Sequence, residues 1–390
     1  MRRMLTKTLA VILILTGTTI GLTAAANPAA DVTPRIEVSF VLDTTGSMAR
    51  LIAGAKQKIW SIERQMVSGR PSPAIKLGLV GYRDRGDQYV TKLYDLTDDL
   101  DAMYGHLMEF QAGGGGDTPE SVNQALNEAV TKISWSKDPN VLKLIFLVGD
   151  APPHMDYPDD VKYPETIKLA KAAGITIITV QCGTFAGTTT AWQDIAALSG
   201  GGFVQIDQSG GMTSTTTPVD AELSRVGAEL RKTVVPYGNA ARQSEVSTKS
   251  AMAAGASADR LVYLNVDSAE FGAKVVVTGE GELVWDVVNR KVKLEDIPDS
   301  DLPVQLQSMS LQARKDFVDE QFSKRKGLQI QVDELATQRD KFVKTEMERL
   351  VGSRAADSFD TKVAEMIQEQ AKRLGIQYDI LAKVEPAKAP

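Results

Sequence analysis

The sequence predicts an α/β protein: a doubly wound, mostly parallel sheet with helices on both faces, followed by a small β element and a mainly helical C-terminal region. Three observations carry this. From Arg35 to about Tyr237, short apolar runs alternate with amphipathic segments of helical period, the order of strands joined by crossover helices. The run Val141 to Val148 is almost wholly apolar, as a strand covered on both faces should be. Beyond Leu311 the pattern turns long and helical, with mixed charges suited to a solvated face.

Residues 1–26 stand apart. Arg2, Arg3 and Lys7 precede the apolar run Leu9 to Leu15, which fades through Thr and Gly into Ala24-Ala25-Ala26. That order is the pattern of a cleavable export signal, with cleavage expected after Ala26. The run is too short for the roughly 20 apolar residues of a membrane span. Membrane contact is thus expected only during export, to the periplasm or the outside. Losing those three cations moves the net charge from −6 to −9, and no basic cluster remains, which argues against nucleic acid as a partner. The single cysteine, Cys182, excludes an intrachain disulfide.

The elements follow in order. Ile36 to Leu42 reads as a strand, and Met48 to Met66 as a helix with Ile52, Ala55, Ile59, Ile62 and Met66 on one face. Ile75 to Tyr82 is a second strand and Tyr89 to Tyr94 a short edge strand. Helices are expected over Asp99 to Phe110 and Pro119 to Ile133. After the Val141 strand come the helix Pro164 to Ala173, stopped by Gly174, and the strand Ile175 to Val180. The helix Ala191 to Leu198, the strand Phe203 to Ile206 and the helix Asp220 to Val234 close this domain, residues 35–237. Residues 238–260 read as a linker or frayed helix. Residues 261–390 are expected to hold three short strands (Leu261 to Val266, Lys274 to Thr278, Leu283 to Val288), then helices from Leu311 to Leu350 and from Val363 to Leu374. The bland reading of that half is a helical hairpin; self-association through it is the alternative.

Chemistry concentrates at three turns. The first strand runs into Asp43-Thr44-Thr45-Gly46-Ser47; Gly116-Asp117-Thr118-Pro119 and Gly149-Asp150 complete the set. Singly, Ser47 and Thr118 read as helix N-caps, with Pro119 at the first helical position, and Asp43 and Asp150 as turn residues. Together they place two carboxylates and three hydroxyls at one sheet edge, where a doubly wound order reverses and leaves a crevice. Oxygen donors without His or Cys select a hard dication, Mg²⁺ or Mn²⁺.

The spacing Asp43-x-Thr45-x-Ser47, with Thr118 and Asp150 downstream, resembles the metal-ion-dependent adhesion site of von Willebrand factor type A domains. Thr45 stands where Ser is usual there. The resemblance implies that Thr45, Ser47 and Thr118 offer hydroxyl oxygens, that Asp43 and Asp150 anchor the ion, and that a partner protein's Asp or Glu completes it. Asp84 and Asp117 are candidates for supporting the site from outside, with turn and capping roles as their alternatives. Arg85-Gly86-Asp87 is a tripeptide that recurs by chance, and His154 reads as a loop residue rather than a base. An aspartic-protease reading of the Asp43 turn fails, since that chemistry needs a second matching lobe. Two alternatives to a non-enzymatic binding module stand: a Mg²⁺-dependent hydrolase, and an envelope scaffold working through the helical half.

Overall fold

The structure, a computed structural model, describes residues 33–116, 118–206, 216–254, 276–351 and 359–378. Its centre is a sheet of β1 (Arg35–Asp43), β2 (Ala74–Tyr82), β3 (Thr91–Thr97), β4 (Val141–Gly149), β5 (Ile175–Cys182) and β6 (Phe203–Ile206). The spatial order is β3-β2-β1-β4-β5-β6, parallel throughout except for the antiparallel edge strand β3. β1 pairs with both β2 and β4, so the winding reverses there and the carboxyl ends of β1 and β4 open side by side.

Side chains alternate across this sheet and build a core on each face. On one face Phe40, Leu42, Leu144 and Phe146 meet α1 (Ile52–Val67) and α2 (Leu100–Glu109). On the other, Val41, Ile145 and Leu147 meet α3 (Val122–Thr131), α4 (Tyr163–Ala172) and α5 (Ala186–Ser199). Every residue of β4 is buried, as its composition requires.

Two local starts differ from expectation. Gly46–Arg50 is a 3₁₀ turn, and α1 begins only at Ile52. α3 begins at Val122, not at Pro119, because Glu120 is held in an extended bridge to Pro153, its N–H donating to Pro152 O at 3.0 Å. Thr118 is therefore a loop residue and not a helix cap.

The second half is helical: α6 (Asp220–Arg231), α7 (Ala240–Ala254), α8 (Leu283–Val288), a short α9 (Val304–Gln307), the long α10 (Leu311–Val351) and α11 (Phe359–Ala371). The stretch expected to be a linker or frayed helix is mostly the ordered helix α7, whose buried Lys249 pairs with Asp99 and Glu245. The expected strand Leu283 to Val288 is helix α8. Its apolar run fits either period, and Glu282 decides: its carboxylate caps the helix at Trp285 N (2.8 Å) and holds Arg325 through both oxygens (2.9 and 3.0 Å). Val276 to Thr278 is bend and coil rather than strand, while Leu261 to Val266 lies outside the described residues.

α11 returns to the sheet. Val363, Ile367 and Ala371, with Ile376 and Tyr378 beyond it, are buried in the same core as α1 and the strands. Arg70 and Gln377 exchange backbone hydrogen bonds of 2.8 and 2.9 Å, and Tyr378 donates to Met66 O at 3.1 Å. Among the described residues no helix is long and apolar enough to cross a membrane.

Candidate metal centre

β1 ends in Asp43, which is wholly buried, and the chain must turn at once. Asp43 Oδ1 accepts the Thr45 N–H at 2.8 Å and the Thr45 hydroxyl at 2.6 Å, which folds the turn back on the carboxylate. Ser47, exposed in the 3₁₀ turn, donates its hydroxyl to Asp150 Oδ1 at 2.8 Å. The Thr45 and Ser47 oxygens are 3.1 Å apart. Both hydroxyls also meet a carboxylate, and each oxygen keeps a lone pair for a further partner. Neighbouring ligands of an octahedral Mg²⁺ lie about 2.9 Å apart, given bonds of about 2.0–2.1 Å. The spacing of these oxygens suits such an ion.

Asp43 Oδ2 is buried and has no hydrogen-bond partner. Burial, and after it the charge of Asp150, push the Asp43 carboxyl up from 3.8 to about 7. Burial also raises Asp150, against the opposing hydrogen bond from Ser47. Tyr82 and Cys182 are driven up as well, by burial first and then by these carboxylates. The end of the sheet thus carries negative potential that its protein donors only partly compensate, the condition a dication relieves.

The loop after α2 closes over this turn. Gly113 N donates to Thr44 O, and Gly46 N to Gly114 O, both at 3.0 Å. Gly115 N donates to Asp87 Oδ2 at 2.8 Å. Side chains are forbidden here: a Cβ on Gly46 would stand 2.8 Å from Gly114 O, and one on Gly114 (φ 71°) would stand 2.3 Å from the Asp87 carboxyl. Thr118 sits exposed further along this loop. The structure thus links Asp43, Thr45, Ser47 and Asp150 in one hydrogen-bonded chain. Among the described residues no hydrogen bond ties Thr118 to it. Asp117 lies outside the described residues.

Asp84 is buried and serves the neighbouring loops. Its carboxylate accepts Ser121 Oγ at 2.7 Å and Tyr157 OH at 2.9 Å, which fastens the start of α3 and the segment after β4 to the end of β2. His154 belongs to the same bolt. It is a loop residue, as expected, but only 3% exposed, with Nδ1 2.8 Å from Asp156 and Nε2 3.4 Å from Asp84 Oδ2. Arg85 and Asp87 are committed internally, Arg85 to Asp159 and Asp160 and Asp87 to the Gly115 and Asp84 N–H groups.

Sequence reasoning missed Tyr82, Tyr89 and Thr188. Thr188 donates to Asp150 O at 2.7 Å, and Tyr89 OH meets the buried Thr44 hydroxyl at 2.7 Å. Tyr82 is the register partner of Asp43. Only the strand pairing exposes that relation. Among the described residues no group of three or more His, Cys, Asp or Glu is placed to hold a metal; the oxygens gathered here are hydroxyls and two carboxylates.

A family model for the von Willebrand factor A domain matches residues 37–208. Those residues form a von Willebrand factor A domain. Such domains typically mediate protein–protein interaction. Von Willebrand factor A domain-containing protein 7 of Rattus norvegicus and that of Homo sapiens are each 37% identical to this chain over 123 residues, 32% of this chain and 13% of theirs. The match thus spans about an eighth of the length of these relatives. Among solved structures, the SpRpn10 VWA domain is 14% identical, covers 48% of this chain and 97% of its own, and has a TM-score of 0.36. Proximal thread matrix protein 1 from the mussel byssus, with a zinc-occupied MIDAS motif, is 17% identical, covers 44% and 42%, and has a TM-score of 0.34.

Proposed function

We propose that the domain binds one hard divalent cation, Mg²⁺ or Mn²⁺, and engages a protein partner's carboxylate through it. The carrying observation is the unpartnered, buried Asp43 Oδ2 beside Asp150, with the Thr45 and Ser47 hydroxyl oxygens 3.1 Å apart. Asp43, Thr45, Ser47 and Asp150 would hold the ion, with Thr118 reaching in from the adjoining loop. Bound there, a dication supplies a coordination position for an acidic ligand, and the two carboxylates offset its charge. Asp43 sets the base of the site, and the 3₁₀ turn presents Ser47 to the surface. The glycines at 46 and 114 bring the two loops together.

Binding rather than catalysis is the reading favoured. Hydrolysis on a metal needs a base beside the water, and His154 is buried and engaged with Asp156 and Asp84. Export belongs to the same proposal and rests on the charged, apolar and small-residue order of residues 1–26. Crystals grown with Mn²⁺ test the site. An anomalous peak shared by Asp43, Ser47 and Asp150 is the expected result; a peak elsewhere, or none, contradicts it.

A further inference from the structure

Tyr82 is fully buried, yet its hydroxyl has no hydrogen-bond partner. Leaving a phenol O–H unsatisfied inside a protein is costly, and a phenylalanine would fill the same space without that cost. A second unsatisfied atom lies close by. Asp43 Oδ2 is likewise buried and unpartnered, and Tyr82 is the residue paired with Asp43 across the β1–β2 ladder. Both atoms crowd one point: the place where a Cβ on Gly149 would sit is 2.3 Å from Tyr82 Oη and 3.0 Å from Asp43 Oδ2. One is a donor without an acceptor, the other an acceptor without a donor. Both atoms face the same small space, and the phenol proton is free to turn toward the carboxylate oxygen.

From this we infer that Tyr82 is a positioning residue of the cation site, donating its hydroxyl to Asp43 Oδ2 and orienting that carboxylate toward the ion. The inference rests on the metal reading given above. A carboxylate kept ionised against a dication accepts a stronger, charge-assisted hydrogen bond than a neutral carboxyl does. The phenol is therefore satisfied best when the ion is bound. Gly149 is required for this contact, because any larger residue would occupy the space the two groups share.

The discriminating variant is Tyr82→Phe in the full chain, which removes one oxygen and little volume. Two readouts separate positioning from packing: thermal unfolding in EDTA, and Mg²⁺ affinity by calorimetry. In EDTA the variant is expected to melt at or above the wild-type temperature, since an unsatisfied group has been deleted. Its Mg²⁺ affinity is expected to fall about tenfold, the size of one hydrogen bond to a charged group. Unchanged affinity overturns the inference while leaving the metal site in place. Equal destabilisation with and without Mg²⁺ overturns it too, by showing a packing role only. Wild-type protein that binds neither Mg²⁺ nor Mn²⁺ overturns the metal reading, and the inference with it.

Discussion

Asp43→Asn should abolish the pH dependence that Asp43 imposes on the metal-free protein. In the fold, burial and then Asp150 lift this carboxyl from 3.8 to about 7. Between those values the native state keeps a proton that the unfolded chain releases. Stability from this group is therefore greatest at low pH and is lost as the pH rises through about 7. At about 1.4 kcal/mol per tenfold change in proton affinity, the ceiling is about 4 kcal/mol. Asp150 titrates with it as a pair, so part of the effect is shared between the two sites. Urea unfolding in EDTA at pH 5 and pH 8 measures the swing. Relative to wild type, Asp43→Asn should gain about 2–4 kcal/mol between the two pH values, and saturating Mg²⁺ should erase much of that gain by stabilising wild type. Parallel pH profiles for the two proteins in EDTA would refute the reasoning.

Three further outcomes are expected. Ile367→Ala should cost about 3 kcal/mol in urea unfolding, because this α11 residue is fully buried in the core shared with the sheet; a cost below about 0.5 kcal/mol would detach α11 from that core. Arg325→Ala should cost about 3–5 kcal/mol by leaving the Glu282 carboxylate buried without its cation, and Glu282→Gln in the same background should recover part of that loss. Gly114→Ala should weaken Mg²⁺ binding by tenfold or more, since its Cβ would collide with the Asp87 carboxyl and push the loop off Gly46; calorimetry at unchanged circular dichroism checks this.

The sheet was legible because β4 is apolar at every position but one and because each helix of the domain carries a single apolar stripe. Asp43, Thr45, Ser47 and Asp150, which the structure brings together, could be picked out as a group because oxygen-bearing residues at strand ends form a local pattern, whereas no described hydrogen bond ties Thr118 to them. What escaped depends on pairing between distant segments. Tyr82 lies beside Asp43 through ladder register, and Thr188 reaches Asp150 O from a run of three threonines with no pattern of its own. The strand expected at Leu283 to Val288 failed because six apolar-rich residues fit both periods. The deciding group, Glu282, acts through Arg325 forty-three positions away. The polar, small-residue sequence of α7 fits a linker or a frayed helix equally well; the contact that orders it, Lys249 to Asp99, is long-range. The place of α11 on the sheet is likewise tertiary information, since its apolar stripe fits a hairpin equally well.

The central claim is that oxygens from separate turns converge on one hard cation, and calorimetric titration of the full chain with Mg²⁺ tests it most directly. The account predicts one ion per chain, lost in Asp150→Ala and retained in Asp84→Asn, whose carboxylate fastens loops rather than facing the ion. Absence of binding by the wild-type chain, or binding that survives Asp150→Ala undiminished, would contradict it.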